Sequence, residues 1–478
     1  MLPRVPISQR GSMTSKTPVD DSGALGEHRI SGIEILGHAV ANITPSAMAA
    51  VTVSLVASDA GSFTWLSYLI VGVLMWLVAK QVAELASDMP AAGSMFVYLA
   101  RALHPLAGVA AGWSMVGGYL GALLAAPVLA GAFAAKAFAF TRIVIPAWPL
   151  AVVFSILSWW LAVRDIRIAA RSSLIIEAIS LLAMIAIGVV TLYRNGLIDP
   201  EQFDLRNLHW TGLLHAGTLT VLAYGGFETA GNLARESRDP EQSAPRAMTA
   251  SVILVGVFFI FMAYATVAGF ANDTHRLGDT TGPLNWLAVH ERMPILGFLA
   301  DFGMATAAFS ATIATFNSIA RIMYSMARHQ VLPRRFAALH HVHRTPAMAL
   351  AVLGVTTTGF SVAMHIFDLP VLKMIDLFGI FTSLGFLVIY LLTLIAVPVH
   401  ARRRGRSVPA LSWVALGIGA PVLLRVLATN LYPFPPFPKN WVTIAFFAYL
   451  LLGMMVFHVW SRRAPERAAE LAQGVPGD

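Results

Sequence analysis

Twelve stretches of roughly 20 mostly apolar residues follow one another along the chain, and no other feature constrains its fold as strongly. A helix of that length crosses the hydrocarbon layer of a bilayer, where the backbone must satisfy its own N–H and C=O groups. The stretches centre near Ala47, Val73, Leu120, Phe154, Met184, Ala223, Phe259, Ala311, Gly354, Leu387, Leu416 and Leu451. The third and eighth run longer, which predicts tilted helices. Only 12% of the residues are charged, against about 25% in soluble domains. The expectation is an all-α polytopic protein with twelve transmembrane helices in a lipid bilayer. The chain has no cysteine, which removes disulfide frameworks, thiolate metal sites and cysteine nucleophiles from consideration.

A net charge of +8 raises the question of nucleic acid, and its distribution answers against it. Arg402, Arg403, Arg404 and Arg406 form one inter-helix cluster, and Arg328, Arg334, Arg335 and Arg344 form another. Arg164, Arg167 and Arg171 share a third loop, and Arg235, Arg238 and Arg246 a fourth. Short basic loops mark the cytoplasmic side. All four lie on one face if the amino terminus is inside, so both termini are expected in the cytoplasm, with the protein in the cytoplasmic membrane. The polar start lacks the apolar core of a signal peptide. Five parts follow: a tail over 1–30, spans one to five over 31–195, spans six to ten over 211–400, two further spans over 408–460, and a tail over 461–478.

Two spans are interrupted where a membrane helix should be driest. The first contains Asn42-Ile43-Thr44-Pro45-Ser46, and the sixth contains Tyr224-Gly225-Gly226-Phe227-Glu228-Thr229. Two interrupted helices at corresponding positions of two halves point to a transporter's binding site. Five spans separate the halves, an odd number, so the second half enters from the opposite face: a 5+5 inverted repeat with two helices appended. Free N–H groups at a half-helix N-terminus suit a carboxylate, and free carbonyls at a C-terminus suit an ammonium or a cation. On that reading Thr44, Pro45, Ser46 and Ala47 take a substrate carboxylate. Carbonyls near Val40 and Ala41, and from Ala223 to Gly225, take the ammonium. Either break alone reads as a kink or a close-packing spot; the pair together reads as a site.

Glu228 is a mid-membrane carboxyl and a functional candidate for that reason. A latch between helices, proton handling and substrate contact are all open to it. Glu177 in span five is placed nearer the cytoplasmic end, with a structural or proton role. His38, one turn before the first break, is a packed polar residue or a gate. Tyr119 is a candidate for the pocket wall. Ser310 and Thr312 either bond locally or complete a cation site with span-one carbonyls. Asp301 and Asp376 are expected at the membrane interface. No HExxH, phosphate loop, G-x-S-x-G or carboxylate pair is present, so neither an enzyme nor a cofactor or metal centre is expected.

GGFETAGNLARESRDPEQSAPRAM (Gly225 to Met248) resembles the sixth-span signature of the amino acid–polyamine–organocation permeases. ELASDMPAAGSMFVYLARALHPLAGVAAGW (Glu84 to Trp113) resembles their segment between spans two and three, and RIMYSMARHQVLPRRFAALHHVHRTP (Arg321 to Pro346) the one after span eight. The resemblance covers roughly residues 30 to 460. It implies the leucine-transporter-type fold, alternating access, and uptake or exchange of an amino acid or related amine, and leaves open whether a proton or sodium is the coupling ion. It carries substrate contact onto Ala41, Asn42, Thr44, Pro45, Ser46 and Ala47, and onto Gly225, Gly226 and Phe227. It adds Leu222 as a gate-side position, with Tyr119 and Thr382. The chain departs from the family pattern twice: Asn42 to Ser46 replaces a glycine-rich G-x-G, and span five carries Glu177 but no lysine from Leu174 to Leu192. A non-transporting sensor on the same fold is the alternative from another class.

Overall fold

The computed structural model describes residues 30–89, 94–164, 169–237, 239, 242–280, 282–367 and 369–463. The expected tails over 1–29 and 464–478, the turn from Pro90 to Gly93, and Arg167 and Arg238 lie outside them. Among the described residues the chain is helical, with only isolated β-bridges between Ile30 and Ser237 and between Leu339 and Pro346. Nine helical stretches there are long and apolar enough to cross a membrane.

Helix α1 (Gly32–Ile43) starts at Ser31, whose hydroxyl accepts from the Glu34 N–H while Glu34 accepts from the Ser31 N–H, a reciprocal capping box. It stops at Thr44. Proline disfavours a helical conformation in the residue before it, and Thr44 swings to φ 51°, ψ 58° ahead of Pro45. Pro45 then occupies the first turn of α2 (Pro45–Ala60), where a missing N–H costs nothing. After Gly61–Phe63 comes α3 (Thr64–Asp88), then a short α4 (Ser94–Ala102) inside what the sequence marks only as a loop. Then α5 (Pro105–Phe140), α6 (Ala147–Val163) and α7 (Ala169–Asn195) complete the first half.

The second half opens with α8 (Trp210–Tyr224), which ends at Gly225 and Gly226. Gly226 sits at φ +114°, a conformation that residues with a Cβ rarely adopt. The chain leaves this turn as a 3-10 helix over Phe227–Glu236 and not as an α-helical half. Thr229 explains the tighter winding: its N–H and its hydroxyl both donate to the Gly226 carbonyl, at 3.1 and 2.6 Å. Next come α9 (Ser243–Gly269), the short α10 (Thr274–Gly278) and α11 (Pro283–His290), α12 (Pro294–Arg328), α13 (Ala347–Ile366) and α14 (Val371–Arg403). The last segments are α15 (Ala410–Val414), a π-helical turn over Ala415–Gly419, α16 (Ala420–Thr429) and α17 (Lys439–Arg463).

Helix α5 packs along α12 and α14, and α3 along α9, around one continuous apolar core. Small residues let α5 and α14 approach: a Cβ on Gly385 would lie 2.6 Å from the Ser114 carbonyl oxygen. The segments after α14 are peripheral, since 28% of the most apolar window is buried in Ala410–Thr429 and in α17, against 72% in α14. Leu451, Leu452 and Met455 on α17 are exposed apolar residues of the kind that face lipid. Asp301 departs from expectation. It is fully buried on α12 and accepts from Asn285 of α11, so it ties two helices together inside the protein. Asp376 pairs with Lys439 at 2.9 Å, joining the starts of α14 and α17.

Candidate functional site

The two breaks meet. A Cβ placed on Gly226 would lie 2.9 Å from the Asn42 carbonyl oxygen and 3.2 Å from the Ile43 nitrogen, so the turn after α8 lies directly on the last turn of α1. Beside this contact is a cavity of about 800 Å³, counting the part open to solvent. Asn42, Thr44, Ala47, Leu222, Gly225 and Gly226 line it from the two breaks. Tyr119, Ala122 and Ala126 of α5 form one wall, Ala308, Ala311 and Thr315 of α12 another, and Thr382 and Phe386 of α14 a third. None of the lining residues is charged.

The charges stand one layer behind. Glu228 is buried and receives donors only: Tyr119 Oη donates to Oε1 at 2.6 Å, and Gly226 N–H and Tyr390 Oη donate to Oε2 at 3.1 and 3.3 Å. The Gly226 N–H can only donate, whereas the two tyrosine hydroxyls can donate or accept, so the cluster closes around the carboxyl group from three sides. Glu228 thus ties α5 and α14 to the second break. Glu177 is equally buried, and it does not snorkel toward the cytoplasmic end. Its side chain spans from α7 to the head of α2, where Ser46 N–H donates to Oε1 at 3.0 Å and Ser46 Oγ donates to Oε2 at 2.7 Å. A carboxylate at the amino end of a helix is the arrangement the helix dipole favours.

These bonds change the reading of the first break. Of the four positions expected to hold a substrate carboxylate, Pro45 has no N–H and Ser46 has spent both donors on Glu177. The Thr44 N–H closes α1 onto the Val40 carbonyl, and the Thr44 hydroxyl donates to the Ile43 carbonyl at 2.7 Å. Among the described residues the Ala47 N–H meets no acceptor, so it is the donor left at that corner.

Of the residues singled out in the sequence, Asn42, Thr44, Ala47, Tyr119, Leu222, Gly225, Gly226 and Thr382 line the cavity together. Ala41, Pro45, Ser46 and Phe227 lie outside the cavity wall. Ser46 turns to Glu177, and Phe227 is fully buried with its ring stacked 5.7 Å from that of Tyr390. His38 stays on its own helix turn: Asn42 Nδ2 lies 3.0 Å from His38 Nε2 and donates to the His38 carbonyl at 2.9 Å. Ser310 and Thr312 are not brought to the cavity. Thr312 gives its hydroxyl to the Ala308 carbonyl of its own helix at 2.8 Å, and Thr315, one turn on, reaches the wall. Thr382 is the exception in chemistry. Its hydroxyl is buried with no partner, and it lies 2.5 Å from where a Cβ on Gly121 would sit.

Sequence reasoning missed Thr315, Phe386, Tyr390 and the small-residue walls. A signal existed for one wall: Gly121 and Ala125, and Ala122 and Ala126, are pairs of small residues four apart along α5, the spacing of a single helix face.

Fold and site together define a multi-pass helical membrane protein built around a pocket where two interrupted helices touch. The chain matches the sequence model of the amino acid permease family over residues 35–464, and it belongs to that family. It is 22% identical to the branched-chain amino acid permease BcaP of Bacillus subtilis over 437 residues, 85% of this chain and 87% of that protein. It is 27% identical to the low-affinity putrescine importer PlaP of Escherichia coli K12 over 287 residues, 58% of this chain and 62% of that protein. It is 28% identical to an uncharacterized transporter of Mycobacterium tuberculosis H37Rv over 315 residues, 64% of this chain and 68% of that protein. These relatives are transporters, not enzymes.

Proposed function

We propose that the protein carries an amino acid or related amine across the cytoplasmic membrane by alternating access, with the cavity at the two breaks as its substrate site. The observation behind this reading is the contact of Gly226 with Asn42 and Ile43 beside an uncharged cavity. Membrane helices are broken only where protein or substrate satisfies the freed backbone groups. The membrane architecture proposed with it has twelve crossings. Helices α1 and α2 together make the first, and α8 with Phe227–Glu236 makes the sixth. The first five and the next five form two inverted repeats, α15 to α17 supply the last two crossings, and both termini face the cytoplasm. Relatives named for branched-chain amino acids, aromatic amino acids and putrescine support the substrate class. Coupling to a proton or sodium fits the same scheme. The test is flux in proteoliposomes with a panel of neutral, acidic and cationic amino acids and amines, with and without imposed gradients. Uptake or counterflow of one class is the expected result, and no flux of any member refutes the reading.

A further inference from the structure

We infer that the site takes a singly charged organic amine with an apolar body in preference to the matching amino acid, because the protein's own carboxylate already occupies the corner where a substrate carboxylate would bind. This rests on the transporter reading above and narrows its substrate.

The donors are the first argument. Glu177 holds both the N–H and the hydroxyl of Ser46 at the head of α2. Glu228 holds the Gly226 N–H and the Tyr119 hydroxyl at the other break. Once these are committed, a substrate carboxylate finds the Ala47 N–H, the Thr315 and Thr382 hydroxyls and no cationic side chain on the cavity wall.

The acceptors are the second argument. Tyr119 lines the cavity, and its hydroxyl oxygen, 2.6 Å from Glu228 Oε1, keeps a lone pair for a further donor. Asn42 uses its amide N–H groups on His38, which leaves its Oδ1 to accept. The Thr382 oxygen is unpartnered. An ammonium hydrogen-bonded to Tyr119 Oη would stand about 5 Å from the Glu228 carboxylate, a direct bond length added to the 2.6 Å Tyr119–Glu228 contact. Phe386, whose ring lies at 81° to that of Tyr119 with centroids 5.5 Å apart, adds a second aromatic ring to the same wall.

The walls are the third argument. Ala122, Ala126, Ala308 and Ala311 present methyl groups, which match a hydrocarbon body and give nothing to a bare metal ion or to the second ammonium of a diamine.

The test uses matched pairs differing only in the carboxylate: leucine against 3-methylbutylamine, phenylalanine against 2-phenylethylamine, and ornithine against putrescine. Binding is read on the purified protein by ligand-dependent thermal stabilisation, and transport by counterflow in proteoliposomes. The monoamine should bind at least about tenfold more tightly than its amino acid, and putrescine more weakly than either monoamine. Glu177→Gln should narrow the gap at least about tenfold, because a single amide oxygen cannot hold both the N–H and the hydroxyl of Ser46 and so frees a donor for the substrate carboxylate. An amino acid bound as tightly as its amine by the wild-type protein overturns the inference while leaving the transporter reading standing. Failure of every pair to bind or move overturns both. The wild-type comparison alone decides if Glu177→Gln does not fold.

Discussion

Gly226→Ala is the substitution through which the account is most exposed. The native residue sits at φ +114°, and its absent Cβ would fall 2.9 Å from the Asn42 carbonyl oxygen and 3.2 Å from the Ile43 nitrogen. Forcing an L-residue into left-handed territory costs about 1–2 kcal/mol. The contact adds to this, because both atoms it meets are backbone on a neighbouring break and cannot rotate away as a side chain would. A sum of about 2–4 kcal/mol lowers the population in which the two breaks touch by about 30-fold or more. The control is Gly359→Ala on α13, where a new Cβ meets nothing within 4 Å and the helix gains about 0.5–1 kcal/mol from the added methyl. Both variants are reconstituted and assayed for counterflow, with thermal melts run alongside. Transport should fall by at least about tenfold in Gly226→Ala and stay at the wild-type level in Gly359→Ala. Wild-type transport by Gly226→Ala would refute the claim that this contact organises the site.

Thr382→Val removes a hydroxyl that no protein group uses, so stability should hold or rise slightly. Substrate affinity should fall about three- to tenfold if the hydroxyl serves the substrate, and a melt run beside a KM measurement separates the two effects. Glu228→Gln keeps one oxygen for the Gly226 N–H but forces the tyrosine hydroxyls to re-orient around an NH2, and should cost about 1–3 kcal/mol in a denaturation experiment; an unchanged melt would show that the cluster contributes nothing. Arg194 donates to the Glu291 carboxylate at 2.9 Å and to its carbonyl at 2.8 Å, linking α7 to α11. Arg194→Met should cost about 1–2 kcal/mol, less than a fully buried pair because the Arg194 side chain is 49% exposed.

How far the sequence could be read depended on whether the signal was local. Pro45 and Gly225-Gly226 punctuate helices by their own stereochemistry, so both breaks were readable from single positions, as was the family resemblance that follows them. The bond from Glu177 to Ser46 crosses 131 positions, and no periodicity in α7 announces it. Glu177 therefore looked like a residue near a helix end when it is the cap of another helix. The 3-10 winding after Gly226 depends on Thr229 donating twice to one carbonyl, a matter of rotamer that the residue types leave open. On α12 the stretch Ala305 to Phe316 mixes small, hydroxyl-bearing and bulky apolar residues without a clear stripe, so its pattern does not reveal the helix phase. Thr312 and Thr315 exchanged places for that reason. Asp301 was assigned to the interface by its position near a helix start, but α11 packs over it and buries it.

The natural absence of cysteine allows the most direct test of the central claim. Ala311→Cys puts one thiol on the cavity wall, and Gly359→Cys puts one in open space away from it. Each variant is reconstituted and treated with a small thiol reagent, and labelling rate and remaining flux are followed as transported amine or amino acid is added. Modification at position 311 should block flux, and substrate should slow that labelling in proportion to its occupancy, with position 359 indifferent to both. Labelling at position 311 that leaves flux intact, or that substrate does not slow, would contradict the placement of the transport site where the two broken helices meet.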